Sequence, residues 1–263
     1  MSRLFWPLVL IAVGALFLLD NFGWLPGNAW NWLWPIILIF FGLSLLLRRG
    51  AGPEPVEASA SLDGAASARI NFKHGAGVLA VRSGAGPDEL FHGEFGGGID
   101  KRLDRHGDHV DVTLQAREQD WANWMLPWNW GGGRGLDWNV RLASTPRLAL
   151  VFETGASDTR LDLGDLRVSE LTVKTGASST RVTLPAQAGA TTVRISSGAA
   201  SVNLTVPAGV AASIRGSVGV GSLDVDQRRF PRSAAGYESP DFETAVHRAE
   251  IQVESGVGSV TIA

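Results

Sequence analysis

The chain has 263 residues and its charge is unevenly spread: residues 1–47 hold only Arg3 and Asp20, and the remainder carries every other basic and acidic side chain. The formal net charge of −3 excludes the strongly basic balance of a nucleic-acid binder. The absence of cysteine excludes disulfides, thiolate metal sites and thiol nucleophiles, and fits a reducing compartment.

The first 49 residues read as a transmembrane hairpin. Two apolar runs, LFWPLVLIAVGALFLL at 4–19 and LWPIILIFFGLSLLL at 33–47, each fall a little short of the ~20 residues that a crossing helix needs. Uncharged flanks extend them to spans of about 4–22 and 30–47. A cleaved signal fits poorly, because only Arg3 is basic, Asp20-Asn21-Phe22 follows the first run, and the second run would be left unexplained. A reentrant hairpin or a buried soluble hairpin fits less well too, since few soluble helices are apolar on every face. Pro7 and Pro35 occupy first-turn positions, where a missing amide hydrogen costs little. Trp24, Trp30 and Trp32 lie in the connecting segment and look like an aromatic belt at one interface. Arg3 precedes the first span and Arg48 and Arg49 follow the second, while the loop between has no basic residue. The positive-inside rule then places both termini, and whatever follows, in the cytoplasm.

Residues 50–64, GAGPEPVEASASLDG, read as a flexible linker. Residues 65–263 read as a repetitive all-β domain. Copies begin at residues 148, 168, 190, 211 and 249, with an earlier one at 69–81; in each, an alternating strand meets a Gly-Ala or Gly-Val corner and a second alternating strand follows. The corner glycines Gly155, Gly176, Gly198 and Gly219 are 21, 22 and 21 residues apart, and Gly256 marks the last copy. Leu171 and Val173 share one face with Thr172 and Lys174 opposite; Val182 and Leu184 repeat the pattern beyond the corner. One such unit cannot bury its own apolar face, so stacked copies would share a core. A β-solenoid of about 21-residue repeats is the first reading, with glycine at the corner for tight turns and positive φ. A β-sandwich of meandering hairpins is the alternative.

Two insertions break the period, at 120–139 and 228–245. The first carries Trp121, Trp124, Trp128, Trp130 and Trp138. It is expected to fold over an open end of the repeat stack; contact with a membrane or partner, or a ligand pocket, are the other readings of these indoles.

No catalytic constellation emerges, so the chain reads as no enzyme, with no cofactor and no metal site. His106 and His109 lie in a polar turn without a third ligand suggested by spacing. The glycine triplets at 96–98 and 131–133 lack the context of a phosphate loop. Asp158, Asp162 and Asp165 lack the calcium-repeat pattern.

The hairpin resembles the transmembrane region of LiaI/LiaF-like bacterial proteins, through Phe5-Trp6-Pro7-Leu8, Gly14, Leu18-Leu19-Asp20-Asn21, Trp34-Pro35-Ile36-Ile37-Leu38-Ile39 and Gly42. The segment ELTVKTGASSTRVTLP at 170–185 is similar to the β domains of "toast-rack" and cell-wall-active antibiotic response proteins. The resemblance implies a multi-pass bacterial inner-membrane protein linked to envelope-stress sensing, acting through contacts with another membrane or regulatory protein. It supplies no catalytic residues. The expected partners are therefore the lipid bilayer and a protein, not nucleic acid. An envelope structural or adhesive protein with an external β domain is the alternative.

Overall fold

The structure is a computed structural model and describes residues 55–117, 136–234 and 236–263. Every element among these residues is a strand, and among them no helix is long and apolar enough to cross a membrane. All belong to the second of two units, Ala51–Ala263, the first being Met1–Gly50. The hairpin expected over residues 1–49 lies outside the described residues. The strands are β1 (Val56–Ser61), β2 (Ser67–Ser83), β3 (Glu89–Phe95), β4 (Ile99–His106), β5 (His109–Ala116), β6 (Trp138–Leu142) and β7 (Arg147–Asp162). They continue with β8 (Arg167–Thr183), β9 (Ala190–Thr205), β10 (Ala211–Val225), β11 (Arg232–Ser233), β12 (Gly236–Glu238) and β13 (Arg248–Ile262).

Six long strands, β2, β7, β8, β9, β13 and β10, are the repeat copies, and each runs through its corner without a break. Neighbouring copies pair in parallel, nearly residue for residue, and not as antiparallel hairpins. The register sets like on like. Ile70, Leu150, Leu171, Val193, Ile251 and Ile214 form one apolar row before the corner, and Val81, Leu161, Val182, Leu204, Ile262 and Val225 form another beyond it. All twelve are buried. The alternation read from the sequence is thus the physical cause of the core, since every second side chain enters the stack and the others face water. Phe72 and Phe152 stack at 4.7 Å and 10° within it.

Sequence order is not spatial order. The copy that comes last in the chain, β13, lies between β9 and β10. Residues 228–245 make that rearrangement possible and are more than a loop. Their Phe230 is fully buried, Arg229 donates to the carbonyls of Val206 and Pro207, and β12 pairs antiparallel with the start of β10.

At the other end, β2 is paired along both halves of its outer edge. β5 takes Ser67–Lys73 and β6 takes Leu79–Ser83; β4 extends from β5, and β3 and then β1 extend from β6. This corrects the expected linker over 50–64, because residues 56–61 form β1 and Ala60 is buried. Small residues in VEASAS suffice there, because an edge strand contributes backbone pairing more than side-chain volume.

Candidate interaction surfaces

The corners position the surface. Gly75, Gly155, Gly176, Gly198, Gly256 and Gly219 lie one above another where the strands bend. A Cβ on Gly155 would stand 2.5 Å from the Gly75 carbonyl oxygen, and one on Gly176 would stand 3.0 Å from that of Gly155. Close approach, not positive φ, therefore demands glycine at these corners, Gly75 excepted. The expected positive φ occurs two residues later, at Gly77, Gly221 and Gly258. Beside the corner glycines, His74, Thr154, Thr175, Ser197 and Ser255 form a buried polar row. Ser197 donates to Ser255 at 3.0 Å and Thr175 to Ser178 at 2.6 Å, whereas the buried Thr154 hydroxyl has no partner among the described residues.

Trp138 follows the first reading of the insertion, burial, and not the alternative of a contact residue. It lies on β6, fully buried, not on an exposed loop. Its indole N–H donates to the Gly96 carbonyl at 3.2 Å, and its ring meets Phe95 edge-on at 5.0 Å. Burial of both the ring and its polar handle leaves nothing for a partner. His74 packs against the same ring at 5.0 Å and donates through Nε2 to the Leu136 carbonyl at 2.8 Å. Burial holds its pKa below the ordinary 6.5, against smaller opposing effects of that hydrogen bond and of the Asp137 charge. Its Nδ1 has no partner among the described residues. The other contact candidates, Trp24, Trp30, Trp32, Trp121, Trp124, Trp128 and Trp130, and the topology residues Arg3, Arg48 and Arg49, lie outside the described residues.

His106 and His109 face each other across the turn of the β4–β5 hairpin, and His109 Nδ1 lies 2.8 Å from the Ser67 hydroxyl. Among the described residues, no three metal-ligating side chains converge.

A groove of about 550 Å³ opens on the outer face of β6, β2, β7 and β8. Arg141, Arg82, Arg160 and Arg181 line it, one from each strand, over a floor that includes Ala80 and Gly93. Of these arginines the repeat reading named only Arg181, as facing away from Val182 and Leu184. Arg160 and Arg181 each lie five residues beyond their corner glycine, which the period makes visible. Arg141 belongs to β6, outside the repeats, so nothing in the period predicts it.

Residues 53–205 match the N-terminal domain of toast_rack, DUF2154. The chain belongs to the toast-rack family. Residues 4–46 match the LiaI-LiaF-like transmembrane region, so this toast-rack protein is membrane-associated. No curated protein matches it. The toast-rack domain is similar in fold to a candidate cell adhesion protein from Clostridium sporogenes ATCC 15579, with TM-score 0.68 and 17% identity over 80% of this chain and 99% of that one. A candidate adhesin from Bacteroides fragilis NCTC 9343 aligns at 9% identity over 81% of this chain and 98% of that one, with TM-score 0.30, too low to carry an argument.

Proposed function

We propose that this protein is a non-enzymatic interaction or scaffold module, anchored by a two-span hairpin over residues 1–49. Its β domain is read as a solenoid of about 21-residue rungs. Both termini and the domain face the cytoplasm of a bacterial cell, where the domain contacts a membrane or regulatory protein of an envelope-stress pathway. The observation that carries this reading is the presence, in one chain, of a LiaI-LiaF-like transmembrane region at 4–46 and a toast-rack domain from residue 53. Arg3, Arg48 and Arg49 supply the orientation. The likeness to a candidate cell adhesion protein favours a second reading, with the domain outside the cell as a structural or adhesive element.

Single cysteines separate the two, because the native chain has none. Val246, 80% exposed, is a suitable position, whereas Ala60 at 7% would be shielded by its own fold. In intact cells an impermeant maleimide should label Asn28→Cys and spare Val246→Cys until the membrane is permeabilised. Labelling of Val246→Cys in intact cells would overturn the cytoplasmic reading in favour of the external one.

A further inference from the structure

The arginine groove violates an ordinary rule of sheet surfaces. Arg82 and Arg141 are direct register partners on β2 and β6, and Arg160 and Arg181 are direct partners on β7 and β8. Like charges set opposite each other on adjacent strands destabilise a sheet. Like charges also face each other at Arg147/Arg167, Glu57/Glu94 and Asp104/Asp111, but in the groove two arginine pairs lie side by side on one face of a chain whose net charge is −3. The second pair is partly compensated: Arg160 is paired with Asp158, and Arg181 lies 3.6 Å from the same carboxylate. The first pair is not. Among the described residues, Arg82 and Arg141 form no ion pair, although Asp162 is the register neighbour of Arg82 on the far side.

The placement also has a direction. With one arginine on each of four consecutive strands, the row spans roughly 14 Å at ~4.8 Å per strand. It steps by two residues between β2 and β7, where Arg82 stands opposite Asp162 and Ala80 opposite Arg160, and Glu94 and Asp162 also line the groove. The floor between the arginines is kept low by Ala80, the outward-facing residue two before Arg82 on β2. A row of exposed planar forks above a low floor suits an elongated ligand with several anionic groups. Phosphate fits better than carboxylate, because its additional acceptor oxygens let one group bridge two neighbouring guanidiniums. Seating such a group between Arg82 and Arg141 would turn their mutual repulsion into shared attraction.

We propose that this groove binds phosphate groups presented in a row, either in a soluble linear phosphate chain or in the headgroups of an anionic bilayer. Both sources are within reach of a membrane-associated protein, and the recognition chemistry is the same.

The test uses the full chain in a non-ionic detergent, titrated calorimetrically with orthophosphate, pyrophosphate and tripolyphosphate. Affinity should climb with each added phosphate and weaken as salt is raised, as expected when bound cations are displaced from a polyanion. Arg82→Gln/Arg141→Gln should lose affinity for tripolyphosphate by about tenfold or more, roughly 1.4 kcal/mol. Arg228→Gln/Arg232→Gln, which removes the same charge elsewhere, should not. In a second arm, micelles doped with phosphatidylglycerol replace the soluble phosphates, and the melting temperature is read. A shift in that arm alone, abolished by the Arg82/Arg141 double variant, assigns the headgroup as the source. Binding in neither arm, or equal losses in the two double variants, would overturn the proposal.

Discussion

At Trp138 and His74 the interior of the domain is tuned by hydrogen bonding as much as by volume. Trp138 is fully buried yet keeps its donor satisfied by Gly96, and His74 is held neutral against it by desolvation. A buried neutral histidine carries a definite pH signature. The unfolded chain takes up a proton near the ordinary histidine pKa of 6.5, and the folded chain resists protonation until its own lower pKa is reached. Stability should therefore be insensitive to His74 above that value and fall as pH drops below it, with a limiting slope of about 1.4 kcal/mol per pH unit. His74→Gln retains a donor for Leu136 but cannot titrate. Denaturant midpoints measured between pH 7.5 and 5 should decline less steeply for this variant than for the native chain. Parallel declines would show that His74 is protonated in the fold.

At the scale of the strand and its corner, neighbouring copies approach too closely for a Cβ at five of the six corner glycines. The six corner glycines do not bear this constraint equally. A Cβ on Gly155 would press on the Gly75 carbonyl at 2.5 Å, whereas one on Gly75 itself meets nothing within 4 Å. Gly155→Ala should therefore destabilise the domain by about 1–3 kcal/mol, the usual cost of overpacking against backbone that cannot yield. Gly75→Ala should stay within about 0.5 kcal/mol, as for an unobstructed surface change. Calorimetric melting of the two variants checks the contrast, and equal shifts would mean that the rungs are not stacked in this register. The inward positions of the rungs were legible in the sequence, because period-two alternation and burial have one cause. Leu150, Leu171, Val193 and Ile251 fall in a single buried row as the repeats predict. Positive φ was assigned to the wrong glycines, since sequence marks a small residue without saying whether φ or contact requires it. Trp138 is buried, as the first reading of the insertion expected; what an aromatic cluster in a glycine-rich stretch does not reveal is that its last member begins a strand.

Over the whole molecule, what escaped the sequence was connectivity. Copies spaced at 21 or 22 residues suggest a stack in chain order, yet β13 enters between β9 and β10. Nothing local encodes that choice: any rung offers the same parallel ladder and the same apolar rows, so the path of residues 228–245 decides it. The strands β1 and β3–β6 were likewise unreadable as repeats, because they close the β2 edge instead of copying it. The membrane association, by contrast, was legible in the long uncharged runs that bilayer thickness demands, and residues 4–46 match the LiaI-LiaF-like transmembrane region. The central claim is that residues 1–50 hold an otherwise self-sufficient β domain at the membrane, and fractionation tests it most directly. The full chain and the chain lacking residues 1–50 are expressed side by side, membranes are washed with alkaline carbonate, and both products are melted. The account predicts that the full chain stays in the washed membrane, while the shortened chain is released and melts at the same temperature in the same detergent. A full chain that washes off, or a shortened chain that no longer melts cooperatively, would contradict it.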